Sequence, residues 1–282
     1  MELVRIACQM PDQVGRSLSL WDCTELAREL VREGAVESIS PQSVQRLLAH
    51  HKLKPWRSHV WLGKKTPRDA DFIARTKNIC ELYTRPLFPH ELVLSVDEKT
   101  SIQPRPRSSP TRPAQPGRPA EVEHEYRRAG ALNLFAAFDT RTGRTYGKTY
   151  PRKRMVEFID FLEFLDRTIP SHITLIHVLC DNVSTHHGSK VRAWLQKHPR
   201  FRFHFTPVHC SWMNQVEQWF SILTRKRLAI PNFPDTTVLA SKIQQFIQEW
   251  NAVAKPFDWT PASFAKILAK AEAEVAAAKV AA

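Results

Sequence analysis

Two apolar runs of strand length each close on a carboxylate. LVLSVDEKTSIQ, residues 92–103, carries Leu92, Val93, Leu94 and Val96 straight into Asp97 and Glu98, and ITLIHVLCDN, residues 173–182, repeats the design up to Asp181. Short runs of β-branched and large aliphatic residues favour buried strands. A charged group inside such a run is costly unless something pairs with it. The expectation is therefore that each strand ends at its aspartate, so that two carboxylates at two strand ends mark a site.

The segments around these runs supply the rest of a layered fold. ALNLFAAFDTRTGRTYGKTY, beginning at Ala131, reads as a hairpin with Asp139 as a turn former. KRMVEFIDFLEFLDRTI (153–169) repeats Met155, Phe158, Ile159, Leu162 and Leu165 at helical spacing and is expected to pack on the sheet. After Asp181 come a helix in SKVRAWLQKH, a strand in FRFHFTP (201–207) and a helix in MNQVEQWFSILTRKRL with Val216, Trp219, Phe220 and Leu223 inward. Glu217 falls off that apolar stripe, with Asn214 and Ser221 three and four residues away on its own face. From about residue 235 two further helices follow, the last Ala- and Lys-rich and expected to fray. The order predicts an α/β fold: a mixed sheet flanked by helices, its strand ends converging on a helix that bears Glu217.

A smaller helical unit precedes it. WDCTELARELVREG (21–34) spaces Trp21, Leu26, Leu30 and Val31 helically and stops at Gly34. SISPQSVQRLLAHHKL then offers Ser40 as N-cap, Pro41 at the first helical position, and Val44, Leu47 and Leu48 as the buried stripe. Two short helices joined by a turn fit a helix-turn-helix, with Gln42, Ser43, Gln45 and Arg46 on the outer face where base edges are read. KPWRSHVWL, with Trp56 and Trp61, is a candidate wing or arm. The predicted division is a helix-turn-helix domain over 1–66, a linker helix within 67–89 and a catalytic domain over 90–282. PRPRSSPTRPAQPGRP (104–119), with six prolines, four arginines and no acid, reads as an extended loop. Its arginines, Arg105 and Arg107 among them, either lie along phosphates or solvate a surface.

The chain carries 41 Lys and Arg against 28 Asp and Glu, a net charge of +13. That balance favours a polyanionic partner through Coulomb attraction and counterion release. Five scattered cysteines without a CxxC pair argue for a reducing compartment and against a disulfide framework or a zinc finger. No segment approaches the ~18 uninterrupted apolar residues of a membrane span. A soluble, cytoplasmic protein with no membrane partner is the expectation.

Three carboxylates within a few ångström of one another repel strongly and call for cations. Oxygen ligands of this kind suit Mg²⁺ or Mn²⁺. Two such ions ~3.5–4 Å apart activate a nucleophile and stabilise the leaving oxygen of an in-line phosphoryl displacement.

SVDEKTSIQPRP, LCDNVSTHHGSKVRAWL and PVHCSWMNQVEQWFSILTRKRL resemble the three catalytic blocks of DDE transposases, closest to the bacterial insertion-sequence "six-thirty" group of the mariner-like superfamily. Thirty-five residues separate Asp181 from Glu217, close to the spacing of such families, and the resemblance covers roughly residues 15–270. It implies an RNase H-like fold in which Asp97, Asp181 and Glu217 form a catalytic, metal-binding triad. It also implies two Mg²⁺ or Mn²⁺ ions per site, double-stranded DNA (terminal inverted repeats and target) as partner, and a homodimer on DNA. The location would be bacterial, at the nucleoid when DNA is bound. Relatives in this branch usually carry another helix-turn-helix ahead of the region where this chain begins, so the chain resembles a shortened member. Two rival readings remain: a DNA-binding remnant or inhibitor that does not cut, and a structure-selective RNase H-like nuclease. Among neighbouring residues, Asn182 either orients Asp181 or a phosphate or makes an ordinary turn, and Asn214 is a supporting residue of the site. His186 and His187 read as hydrogen-bonded structural groups more readily than ligands, and Trp212 and Trp219 as packing residues. Glu98 and Lys99 pair at a strand end or act directly, while Arg225, Lys226 and Arg227 track phosphates or solvate a helix end.

Overall fold

The structure, a computed structural model, describes residues 1–58, 69–208 and 210–280. It divides into two compact units, Met1–Lys65 and Thr66–Ala282.

The first unit is built on α1 (Glu2–Ala7), α2 (Cys23–Arg32) and α3 (Pro41–His50). Asp22 caps α2 by accepting the Thr24 and Glu25 N–H groups at 2.7 and 2.8 Å, and Ser40 caps α3 by accepting that of Ser43 at 3.1 Å. Leu3, Ile6, Trp21, Leu26, Leu30, Val44 and Leu48 form its core, and the Trp21 indole donates to the Gln9 carbonyl at 2.8 Å. Two residues depart from expectation: Leu47 is 48% exposed, not buried, and Val31 is 44% exposed. Val44 and Leu48, one turn apart, already fill the contact, so the flanking apolar positions stay outside. α1 was not anticipated, because six residues are too few to display a period. Trp56 packs partly against this core; Trp61 lies outside the described residues.

The second unit runs α4 (Ala70–Thr84), β1 (Glu91–Ile102), β2 (Leu132–Asp139), β3 (Thr145–Tyr150), α5 (Met155–Thr168), β4 (Leu175–Cys180), α6 (Ser184–His187), α7 (Ser189–Lys197), β5 (Phe201–Phe205), α8 (Gln215–Lys226), α9 (Thr236–Ala252) and α10 (Pro261–Val280). The sheet order is β3-β2-β1-β4-β5. β1–β2 and β2–β3 pair antiparallel, whereas β1–β4 and β4–β5 pair parallel. Leu94, Val96, Ile176 and Val178 face α5 and α7 with Phe158, Phe161, Leu162, Val191 and Trp194. The opposite face is covered by α8 and α9 through Val216, Trp219, Leu223, Leu239 and Ile243, and by α4 and α10 through Ile79, Leu82 and Phe264. Among the described residues no helix is long and apolar enough to cross a membrane.

One prediction about β1 is corrected: the strand does not end at Asp97. It continues to Ile102, because β2 still pairs with it, Ala136 opposite Asp97 and Phe135 opposite Glu98. Pairing with β4, in contrast, ends at Ser95 opposite Leu179. Asp139 is the expected turn former, its Oδ1 accepting the Arg141 N–H at 2.9 Å. In the same turn Gly143 has φ +76°, and a Cβ there would stand 2.2 Å from the Lys255 carbonyl oxygen, so only glycine fits. The basic loop is pinned by isolated bridges between Arg112 and Glu121 and between Gln115 and Arg118.

Candidate functional site

Where β4 gives out, β1 carries on. The parallel register that sets Ser95 opposite Leu179 would, two residues on, set Asp97 opposite Asp181, and neighbouring strands lie ~4.8 Å apart. Side chains alternate along a strand, so Ser95 and Asp97 share the face that α8 covers.

That face is stitched to the start of α8. The Ser95 hydroxyl donates to Asn214 Oδ1 and accepts the Val216 N–H at 3.0 Å. Asn214, fully buried at the N-cap of α8, donates through Nδ2 to the Val96 carbonyl at 2.9 Å and to Asp97 Oδ2 at 3.1 Å. Asp97 Oδ1 accepts the Glu98 N–H at 2.7 Å. The Tyr83 hydroxyl of α4 donates to the Met213 carbonyl at 2.7 Å, anchoring the turn that leads into α8. Glu217 occupies the first turn of α8, two residues after Gln215.

Asp181 leaves the end of β4 and is held by α6. His186, fully buried against the Phe158 ring, has Nδ1 2.8 Å from Asp181 Oδ1 and Nε2 2.8 Å from Glu98 Oε1. Lys153 Nζ stands 3.1 Å from the other oxygen of Glu98. Glu98 points to the opposite sheet face from Asp97, so His186 reaches round the end of β4 to join the two.

The electrostatics follow from this placement. Burial pushes the Asp97 carboxyl up to about 7; the Glu98 N–H opposes the rise, and the charges of Glu98, Asp181 and Glu217 add to it. Glu217, still in contact with solvent, is raised by partial desolvation, Lys99 opposing and Asp181 adding. Burial acts to raise Asp181 too, yet the hydrogen bond and charge of His186 hold it below its usual range. Burial alone would lower His186; its bonds to Asp181, Cys180 and Glu98 push it up to about 12.

Among the described residues no three His, Cys, Asp or Glu side chains stand together in ligating geometry. The donor set nevertheless fits a hard divalent cation. Its three carboxylates come from β1, the end of β4 and α8, all oxygen donors, and the smaller part of the rise at Asp97, which the charges of Glu98, Asp181 and Glu217 add to that of burial, is repulsion a cation would relieve.

The remaining predicted residues are distributed as follows. Gln42, Gln45 and Arg46 are exposed on α3, while Ser43 is half-buried and accepts a hydrogen bond from Arg46 at 3.3 Å. Arg105 is exposed with its guanidinium 5.1 Å from the Tyr126 ring. Arg107 is instead a loop tie, donating to the Glu123 carbonyl at 2.6 Å and the Pro231 carbonyl at 3.3 Å. Arg225 and Lys226 are exposed at the end of α8. Asn182 is exposed, with no bond to Asp181. Trp219 is a core residue as expected, but Trp212 is 43% exposed, its ring centroid 6.4 Å from that of Phe264. Ser95 and Lys153 were not foreseen. Ser95 carried a usable signal, lying two residues before Asp97 on the same strand face, and Lys153 carried none.

The profile of the family described as DDE superfamily endonuclease matches residues 92–239, more than half of the chain. A curated protein of Shigella sonnei, "Insertion element IS630 uncharacterized 39 kDa protein", is 24% identical over 216 residues. That match covers 76% of this chain and 60% of the relative, so the chain spans less than two thirds of that relative's length. Among solved structures, the "Mos1 mariner paired end complex with Mn" matches at TM-score 0.51 and 19% identity, over 91% of this chain and 74% of that one. The "Mos1 Strand Transfer Complex" matches at TM-score 0.51 and 18% identity, over 98% and 76%. At such identity the likeness establishes the fold: a five-stranded mixed sheet flanked by helices, RNase H-like, with a helical region ahead of it.

Proposed function

Since the chain belongs to the DDE superfamily endonucleases, we propose that it is a transposase that binds the ends of its own element, cuts DNA strands there and joins the freed 3′ hydroxyl to a target phosphodiester. The observation that carries this reading is the β1–β4 register, paired as far as Ser95 opposite Leu179, which continued by two residues would set Asp97 opposite Asp181, together with the bond by which Asn214 fastens Asp97 to the helix bearing Glu217.

Asp97, Asp181 and Glu217 would hold two Mg²⁺ or Mn²⁺ ions. Bound there, the ions supply Lewis acidity to the attacking and leaving oxygens of an in-line displacement. The chain's own contribution is placement. Asn214 fixes one oxygen of Asp97, and the N-terminal end of α8 sets Glu217 across from the two strands. Lys99 offsets the charge of Glu217. No covalent enzyme intermediate is needed, because positioning and charge stabilisation suffice for phosphoryl transfer.

Residues 1–66 are assigned to DNA reading, with Gln42, Gln45 and Arg46 on the exposed face of α3 and Ser43 helping to set Arg46. The linker helix falls within 67–89, and 90–282 form the catalytic domain. Arg105, Arg225 and Lys226 are assigned to phosphate contacts. Pairing two element ends calls for two copies of the chain on DNA, in a bacterial cytoplasm at the nucleoid.

The test is Mg²⁺- or Mn²⁺-dependent cleavage of a labelled duplex carrying the DNA that flanks this reading frame, with Asp181→Ala alongside. Cleavage at a defined end that the variant abolishes is expected. Binding without cleavage by the wild-type chain would replace this reading with that of a DNA-binding protein, and cutting of junctions or hybrids regardless of end sequence with that of a structure-selective nuclease.

A further inference from the structure

The carboxylate of Asp181 does not stand alone at the end of β4. Both hydrogen bonds that the described residues make to it end on Oδ1, one from His186 Nδ1 at 2.8 Å and one from the Val183 N–H at 3.3 Å. His186 also faces Glu98 through Nε2 at 2.8 Å. A carboxyl oxygen thus stands at each ring nitrogen, and the imidazole bridges the two acidic side chains. The ring cannot turn away: it is fully buried, packed 4.6 Å from the Phe158 centroid, and its Nδ1 lies 3.2 Å from the Asp181 carbonyl oxygen. Glu98 is itself nearly inaccessible, its side chain 1% exposed, and Lys153, 33% exposed, closes the chain at 3.1 Å.

A buried charged series of this kind is expensive to assemble, and replacing such groups by apolar ones of similar shape is often neutral or stabilising. Stability therefore does not explain it. What it does achieve is to occupy one oxygen of Asp181 in a fixed direction.

We propose that Lys153, Glu98 and His186 form a buried positioning chain that fixes the Asp181 carboxylate by its Oδ1, leaving Oδ2 as the oxygen presented to a divalent cation. The inference rests on the assignment of Asp181 as a metal ligand. None of the three residues touches the reacting atoms; they act through Asp181, as outer partners of metal ligands do.

The test is Mn²⁺ titration of the DNA-free 282-residue chain, followed by the loss of the free Mn²⁺ paramagnetic signal. Wild type is compared with His186→Asn, Glu98→Gln, Lys153→Met and Asp181→Ala. Circular dichroism reports folding, and duplex binding without metal serves as a second readout. Outer partners of metal ligands are worth about 10–100-fold in affinity, so His186→Asn is expected to weaken Mn²⁺ binding by about that factor. Glu98→Gln, which keeps an acceptor for Nε2 but not the charge, is expected to show a smaller loss, and Lys153→Met the smallest. Duplex binding should be unchanged, and in cleavage assays kcat should fall while KM for DNA holds. Should His186→Asn fail to fold, Glu98→Gln and the part-exposed Lys153→Met carry the test. Folded variants that bind Mn²⁺ as wild type does, where Asp181→Ala does not, would overturn the positioning chain and leave the metal site standing. A wild-type chain with no Mn²⁺ site that Asp181→Ala removes would overturn both.

Discussion

Asn214 spends every polar atom of its side chain on holding β1 against α8: Oδ1 takes the Ser95 hydroxyl, and Nδ2 serves both Val96 and Asp97. Removing one partner from a buried network leaves the others unsatisfied. Asn214→Ala is thus expected to lose about 1–3 kcal/mol in urea denaturation. Cleavage should fall with it, because Asp97 loses the contact to its Oδ2. A second residue-scale prediction concerns pH. His177 and His204, on adjacent strands, face each other at 2.9 Å, with Asn78, Glu91, Arg85 and Arg202 around them. Burial, aided by the charges of His177 and Arg202, lowers His204 to about 4. His177 is lowered as well, again mainly by burial, although Glu91 opposes. Below the ordinary value of 6.5 the unfolded chain takes up protons that the folded chain refuses, so stability drops as pH falls from about 6.5 towards 4. Denaturation midpoints at pH 7, 6 and 5 should descend, and His204→Gln should flatten the descent; an equal slope in the variant would assign it to carboxylates elsewhere.

At the scale of elements, caps and turns make the sharpest predictions. Ser40→Ala removes the acceptor for the Ser43 N–H at the start of α3, a loss of about 1 kcal/mol. Gly143→Ala is expected to cost at least about 1–2 kcal/mol from its left-handed backbone alone. The approach of Lys255 makes it worse, and a thermal melt reads both variants. The same elements explain what could be read in the chain. α3 was legible because Ser40, Pro41, Val44 and Leu48 carry cap, start and stripe in nine residues, and α5 and α8 because their apolar residues recur over three or four turns. β4 was legible through its end at Asp181. The end of β1 was not: its termination depends on which neighbour continues, and Ala136 opposite Asp97 is a fact of pairing between residues far apart in sequence. Asp97 and Asp181 could be singled out as acids closing apolar runs, but the link from Asp181 through His186 to Glu98 could not. It joins a four-residue helix to the far face of a strand 88 positions away, and no local period encodes that. Trp212 was misjudged for a related reason, since an aromatic residue beside Met213 and Asn214 has no pattern that says which of them turns inward.

At the scale of the whole molecule, each unit has its own core. Leu3 to Trp56 supply one, and all three clusters of the second unit draw on residues from Phe72 onward. Asp97, Asp181, Glu217 and the groups that hold them all belong to the second unit, while Gln42, Gln45 and Arg46 belong to the first. Metal binding and end reading should therefore separate. A fragment of residues 66–282 is expected to bind Mn²⁺ as the full chain does, yet to lose preference for the element end over an unrelated duplex, because linked modules gain affinity through effective concentration and a lone one forfeits it. The net charge of +13 adds a signature of its own. Each phosphate contact contributes ~0.9 to the slope of log affinity against log salt. Arg46→Ala, if its side chain meets a base edge, should relax sequence preference with little change in that slope; if it meets a phosphate, the slope should fall by ~1 and preference should hold. Filter binding of the full chain, the fragment and Arg46→Ala across a salt series measures all three. A fragment that still prefers the element end would place end recognition in the second unit and strip the exposed face of α3 of the role assigned to it.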